Sequence, residues 1–447
     1  MPALWFDTAL LPDGWAQNVR ISIADGVIAA IETGVAAQDG DEYHGIAIPG
    51  LANLHSHSFQ RLMAGLAEGA SAPGQDDFWG WRHLMYRLVD RLSPEDVTAV
   101  AAMAFMEMLE GGFTRVGEFH YLHHQPDGEP YDDPAEMAGA IAAASAETGI
   151  GLTLLPVFYA HSGFGAAPPK PEQRRFVTDI DGFARLHDAS CVAVKSLAGA
   201  VVGIAPHSLR AVAPAELARL TTLCPEGPVH IHIAEQIKEV VDCVAWSGQR
   251  PVAWLLDHMS VDHRWCLVHA THVDDQEVVA VAESGAIVGL CPITEANLGD
   301  GLFPIEAFVE ASGRFGVGSD SNVRIDAAEE LRLLEYGQRL VLQRRTILAR
   351  GGVSTGRILL DAALDGGAAA LGTALPRLAL GMPADIVALR SDKTATGDRA
   401  LDRWIFARGA GAVEAVWLNG RRLVSQGRHV QREAIERRFA LAVTRVL

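Results

Sequence analysis

A chain of 447 residues that is 49% hydrophobic and 21% charged has the make-up of a globular enzyme, with length for one large domain and a smaller one. Its formal charge of -18 and lack of any Lys/Arg block argue against nucleic acid as a partner, so an anionic substrate needs local cations. No apolar run reaches the ~18 residues of a membrane span, and the Met-Pro-Ala-Leu-Trp-Phe-Asp start lacks a basic region and cleavage site; a cytoplasmic protein without membrane partners is expected.

Residues 1–46 hold short runs, Val19–Ile23 and Val27–Ile31, with turn signals at Asp25-Gly26 and Asp39-Gly40, which read as small antiparallel strands. From Ile46 onward the texture changes. Eight strand-like stretches follow: Ile46–Leu54, Phe113–Phe119, Leu152–Tyr159, Val201–Pro206, Pro228–Ala234, Trp265–His269, Ala286–Leu290 and Arg314–Gly318. Helix-like segments lie between them, including Pro94–Glu110 with Ser93 as N-cap and Gly111-Gly112 as stop, Asp133–Glu147, Pro214–Leu223 and Asp274–Ser284. Alternating strand and helix implies an α/β fold with a parallel sheet, and eight such units imply a TIM-like (β/α)8 barrel. Past residue 376 the short-strand texture returns in Ala384–Leu389 and Ala412–Leu418, the latter followed by Asn419-Gly420. The expected arrangement is a barrel over 47–375 and a small β-domain built from 1–46 and 376–447.

The five cysteines, Cys191, Cys224, Cys243, Cys266 and Cys291, are scattered and form no C-x-x-C pair, as expected of reduced side chains in a reducing compartment. Gly352-Val353-Ser354-Thr355-Gly356 has the letters of a nucleophile elbow, but no apolar strand precedes it.

Four strings carry metal chemistry at the ends of candidate strands: His55-Ser56-His57, His230-Ile231-His232 with Glu235, His269, and Gly318-Ser319-Asp320. Side chains two apart on a strand share a face, so His55 and His57 can reach one ion, and barrel active sites sit at that end. Imidazole and carboxylate are the ligands of a catalytic zinc with an open position. Spacing alone does not choose between His230 and His232, since either suits a core histidine bonded to a carbonyl. Asp320 suits a ligand, a base, or a turn leading to the helix that begins near Asp326.

Pro49-Gly50-Leu51 before His55-x-His57, then His232-x-x-Glu235, His269 and Asp320, resembles the amidohydrolase superfamily, in its mononuclear deaminase branch. The segments 78–88, 118–124, 205–212 and 230–236 resemble, more narrowly, the formimidoylglutamate deiminase family. The resemblance implies a (β/α)8 barrel with a β-sandwich formed by both termini, one zinc or Fe2+ held by His55, His57, His232 and Asp320, and a homodimer. The lysine that bridges two metals in binuclear relatives is replaced here by Pro206-His207. The implied substrate is the dicarboxylate N-formimidoyl-L-glutamate, cleaved in histidine degradation, with contacts at Gln60, Arg82, Tyr121, His207 and Arg210.

The residue types suit that chemistry. Zinc lowers the pKa of its water from ~15.7 to about 7. Asp320 is then placed to accept a proton, His269 to orient the nucleophile or stabilise the tetrahedral centre, and Glu235 to protonate the departing nitrogen. Arginine forks at 82 and 210 match carboxylates bidentately. Rival readings are a deaminase of an aromatic base such as guanine, for which those arginines are dispensable, and a barrel without catalysis that serves binding or assembly. His120, His123 and His124 are expected as wall residues rather than a second metal cluster.

Overall fold

A computed structural model describes residues 2–69, 78–391 and 394–447; the side chains of residues 78–83 lie outside that description. In chain order the strands are β1 (Leu4–Leu11), β2 (Gly14–Ala24), β3 (Val27–Glu32), β4 (Glu42–Pro49), β5 (Leu51–Ser56), β6 (Phe113–His120), β7 (Gly151–Phe158), β8 (Val201–Val202), β9 (Ala205–Pro206), β10 (Val229–Ile233), β11 (Trp265–His269), β12 (Ile287–Leu290) and β13 (Arg314–Val317). Four short strands follow near the C-terminus: β14 (Ile386–Leu389), β15 (Val413–Leu418), β16 (Arg421–Ser425) and β17 (Arg428–His429).

The terminal strands form one eight-stranded sheet, ordered β17-β16-β15-β14-β4-β1-β2-β3, in which only β1 and β4 pair in parallel. Phe6, Val19, Ile21, Ile386 and Trp417 make its core. The single strand expected over Ile46–Leu54 is two strands. β4 ends at Pro49, paired with Ile386 of the terminal sheet, while β5 starts at Leu51, paired with Phe113 of β6. Gly50 makes the switch possible, because a Cβ there would lie 2.2 Å from Thr114 Oγ1.

β5-β6-β7-β8 pair in parallel, with β9 also on β7, and β10-β11-β12-β13 form a second parallel sheet. The stretch expected as one strand from Val201 to Pro206 is interrupted. β8 and β9 keep one register on β7, while Ile204 between them turns to the other neighbour, donating to Pro228 O at 3.0 Å and accepting from His230 N at 3.0 Å. Single parallel bridges join the edges of the two sheets: Ile204 to Val229 and Ser208 to His232 on one side, Ser56 to Asp320 on the other.

Leu54 fills the interior between three glycines; a Cβ on Gly117, Gly289 or Gly316 would approach it within 2.5–2.8 Å. The helix Thr355–Ala370 lies so close to β13 that a Cβ on Gly366 would sit 1.8 Å from Phe315 O. Backbone cannot yield as a side chain tip does, so Gly366→Ala is expected to lower the unfolding free energy by about 1–3 kcal/mol, read as a shifted denaturant midpoint.

The helix Pro94–Glu110 has the expected bounds, with Ser93 and Asp96 bonded reciprocally as a capping box. Asp96 also receives Arg445 Nε at 2.9 Å from the helix Arg432–Val446. Among the described residues no helix is long and apolar enough to cross a membrane. All five cysteines are free, and only Cys191 is exposed.

Candidate active site

Each of the four candidate ligands lies in or just beyond a parallel strand: His55 in β5, His57 one residue past it, His232 in β10 and Asp320 after β13. The bridges between the sheets pass through them. Asp320 N donates to His55 O and His57 N to Asp320 O, both at 2.9 Å, while His232 N donates to His207 O at 3.1 Å. The four donor atoms converge. His55 Nε2 lies 3.2 Å from His57 Nε2 and 3.0 Å from His232 Nε2; the latter two are 3.3 Å apart. Asp320 Oδ1 is 3.5 Å from His55 Nε2 and 3.3 Å from His57 Nε2.

These separations match what an ion would impose: tetrahedral bonds of about 2.0–2.1 Å put ligand atoms about 3.3–3.4 Å apart. The tautomers agree as well. His57 Nδ1 faces Phe119 O at 2.9 Å and His232 Nδ1 faces His207 O at 3.0 Å, so each neutral ring donates outward. Their Nε2 lone pairs then confront one another, an arrangement that only a cation makes favourable. Burial pushes His55 down to about 3 and lowers His57 and His232, keeping the rings neutral as metal ligation requires. Burial would raise the Asp320 carboxyl, but His55, His57 and His269 outweigh it and hold it below the usual range. His230 is not in the cluster: its Nε2 bonds Ala370 O at 2.7 Å, as a core histidine does.

His269 and Glu235 stand beside the cluster. His269 Nε2 is 3.9 Å from Glu235 Oε1 and 3.7 Å from Asp320 Oδ2, while its Nδ1 meets Glu295 Oε1 at 3.2 Å. Burial would depress this imidazole, but Glu235, Glu295 and Asp320 push it up to about 10. Burial likewise raises the Glu235 carboxyl, against the pull of His269 and Arg210. Ala234, His269 and Asp320 have left-handed φ values of 52°, 67° and 45°, local strain of about 1–3 kcal/mol each that the packed strand ends must overcome. Around Asp320, Asn53 Oδ1 accepts from Ser319 N at 2.9 Å, and Asn322 Nδ2 donates to Asp320 O at 3.0 Å and Ser56 Oγ at 3.1 Å. The helix Ala327–Leu342 is capped instead by Asp326.

Gln60, Tyr121, His207 and Arg210 line the same pocket as the metal-facing residues. Gln60 Nε2 donates to Tyr121 OH at 2.8 Å, leaving Gln60 Oε1 buried without a partner. Arg210 Nη2 is 3.8 Å from Glu239 Oε2, and its Nε is buried and unpaired. Arg82 lies on the helix Phe78–Val89, but its side chain is outside the described set. His123 and His124 bond Val157 O and Val177 O through Nε2 at 2.8 and 2.9 Å, consistent with wall positions. Sequence reasoning missed Asn53, Glu295, Asn322, Tyr159 and Phe176, none of which stands in a recognisable spacing.

Residues 46–423 match the Amidohydrolase family, and residues 1–45 match the N-terminal domain of formimidoylglutamate deiminase HutF. Over 454 aligned residues covering 100% of both chains, a formimidoylglutamate deiminase of Pseudomonas aeruginosa is 49% identical. A 5-methylthioadenosine/S-adenosylhomocysteine deaminase of Natronomonas pharaonis is 27% identical over 84% of this chain and 82% of its own. The crystal structure of an amidohydrolase from Brucella melitensis superposes with a TM-score of 0.96 at 53% identity, covering 100% of each chain. A zinc-bound adenosine deaminase from Xanthomonas campestris shares the fold, with a TM-score of 0.81 at 24% identity over 99% and 98% of the two chains. Amidohydrolases are metal-dependent, in keeping with the His-His-His-Asp cluster. Matched by that family over most of its length and by a deiminase over all of it, the chain belongs to the amidohydrolase family, among the formimidoylglutamate deiminases.

Proposed function

We propose that this protein hydrolyses N-formimidoyl-L-glutamate to N-formyl-L-glutamate and ammonia, a step of histidine degradation, using one zinc, with Fe2+ as the alternative, at His55, His57, His232 and Asp320. The observation that carries this reading is the close spacing of those donors in one pocket with the half-buried guanidinium of Arg210, whose Nε is unpaired. We read the two parallel sheets and their bridges as one closed (β/α)8 barrel over 47–375, and the terminal sheet as a bent sandwich from 1–46 and 376–447. A cytoplasmic homodimer completes the proposal.

A metal held by His55, His57, His232 and Asp320 would supply Lewis acidity and lower the pKa of a water at neutral pH. Asp320 takes the proton that water loses as it adds to the formimidoyl carbon. His269, held between carboxylates, faces the developing tetrahedral centre through Nε2. Glu235, whose carboxyl burial pushes above its usual range, passes a proton to the terminal nitrogen; the C–N bond breaks and ammonia leaves, and the hydroxyl proton returns to the Glu235 carboxylate as the water oxygen becomes the formyl oxygen. Arg210, Arg82, Gln60, Tyr121 and His207 bind the glutamate end, the guanidiniums overcoming the repulsion of a dianion by a protein of charge -18.

A second reading draws on the ring wall. Tyr121 meets Phe176 at 4.9 Å and Tyr159 meets His207 at 4.7 Å between centroids, surfaces that also suit a planar base. Ammonia release should therefore be measured with N-formimidoyl-L-glutamate, N-formimidoyl-L-aspartate and guanine, before chelation, after it, and after metal is restored. Activity on the first substrate is expected to vanish on chelation and return with zinc or Fe2+. A zinc-loaded sample inactive on it but active on guanine would sink the assignment.

A further inference from the structure

The short helix Pro292–Leu298, which follows β12, touches the His269 side chain and the two residues on either side of Asp320. Its Glu295 is 4% exposed, and Oε1 faces both His269 Nδ1 at 3.2 Å and the backbone N of Cys291 at 2.9 Å. A carboxylate only accepts, so the ring proton on this side must be on Nδ1, and Nε2 is the atom turned toward Glu235 and Asp320. The preceding residue holds the other side. Thr294 Oγ1 donates to Ser319 O at 3.2 Å and lies 2.9 Å from Ser321 Oγ, the two residues that flank Asp320.

Resting on the deiminase reading, we propose that Glu295 is a positioning residue for hydrolysis: it holds the Nδ1–H and the plane of His269 and so aims Nε2 at the reaction centre. It is not one of the converging donors His55, His57, His232 and Asp320, and among the residues around the pocket it reaches His269 from behind without lining the pocket itself. It acts through the ring, as a carboxylate behind a catalytic histidine does elsewhere by holding orientation and stabilising the charged form. The left-handed backbone at His269, φ 67°, gives the bond a purpose, since a ring on a strained strand end needs an external hold.

The test compares Glu295→Ala and Glu295→Gln with the parent and with each change in a His269→Asn background, following kcat, KM, metal content and the imidazole N–H signals of histidine-labelled protein. Glu295→Ala is expected to lower kcat by about 10–100-fold, the usual cost of losing a partner behind a functional histidine, with KM and metal content little changed. Glu295→Gln, whose amide oxygen still accepts from Nδ1, should lose less. In the His269→Asn background Glu295→Ala should cost nothing more, because the two changes remove one unit. The Nδ1–H resonance that disappears in His269→Asn should also disappear in Glu295→Ala and persist in Glu295→Gln. A kcat loss that remains in full without His269, or an Nδ1–H signal untouched by Glu295→Ala, overturns the proposal. Should the parent prove inactive on N-formimidoyl-L-glutamate, the substrate assignment fails while the resonance still decides the role of Glu295.

Discussion

Replacing Asp320 with asparagine is expected to reduce kcat for ammonia release by about 10²–10⁴-fold, the range for a side chain that moves a proton in the transition state, and to lower metal occupancy as well. Both effects follow from the split duty of one carboxylate. Oδ1 is the donor atom nearest His55 and His57, at 3.5 and 3.3 Å, while Oδ2 is turned to His269 Nε2 at 3.7 Å. An asparagine cannot accept the proton, and it removes the negative charge that balances the cation. The fold should survive, because asparagine tolerates the left-handed φ of 45° and the backbone bonds to His55 and His57 are unaffected. A variant with full metal and kcat within a few-fold of the parent would remove Asp320 from the chemistry.

The second large effect concerns the substrate. Arg210→Met keeps length and apolar bulk but removes the fork, and kcat/KM for N-formimidoyl-L-glutamate should fall by about 30- to 10³-fold, as expected when a substrate charge enclosed in the site loses its partner at about 2–4 kcal/mol. The guanidinium is held but not saturated: its contact with Glu239 is 3.8 Å long, and the other Glu239 oxygen is bonded to Ala234 N at 3.0 Å. That leaves donors for a substrate carboxylate. Arg210→Lys should recover only part of the loss, since an ammonium cannot pair bidentately. Unchanged kcat/KM in Arg210→Met, together with turnover of guanine, would point to a neutral substrate.

Much of this was legible in the residues because strand ends impose simple rules. Trp265–His269 and Pro94–Glu110 have the predicted bounds, the first a buried apolar run ending in a polar residue, the second framed by a cap and two glycines. His55, His57, His232 and Asp320 come together as their place after successive strands suggested. The choice of His232 over His230 was not legible from period, because both share a face; it is decided by Ala370 O, 140 residues away in sequence from the ring it binds. The sheet switch at Gly50 was hidden for a similar reason. An apolar run shows that a segment is buried, not which sheet buries it, and the determining contact is with Thr114. Glu295 escaped notice because it meets His269 across 26 residues with no motif spacing.

The bridges between the two parallel sheets bear on biosynthesis. β5 brings His55 and leads to His57, whereas His232 and Asp320 come with the second sheet, so neither half holds the donor set alone. A ribosome has made more than two-thirds of the chain before Asp320 emerges. Until then a nascent polypeptide offers the three imidazoles without the carboxylate, and of the two seams between the sheets only the one through Ile204–Val229 and Ser208–His232 can form. The bridge between Ser56 and Asp320, which brings the carboxylate to the imidazoles, can therefore form only after the last strand of the parallel sheets has been made.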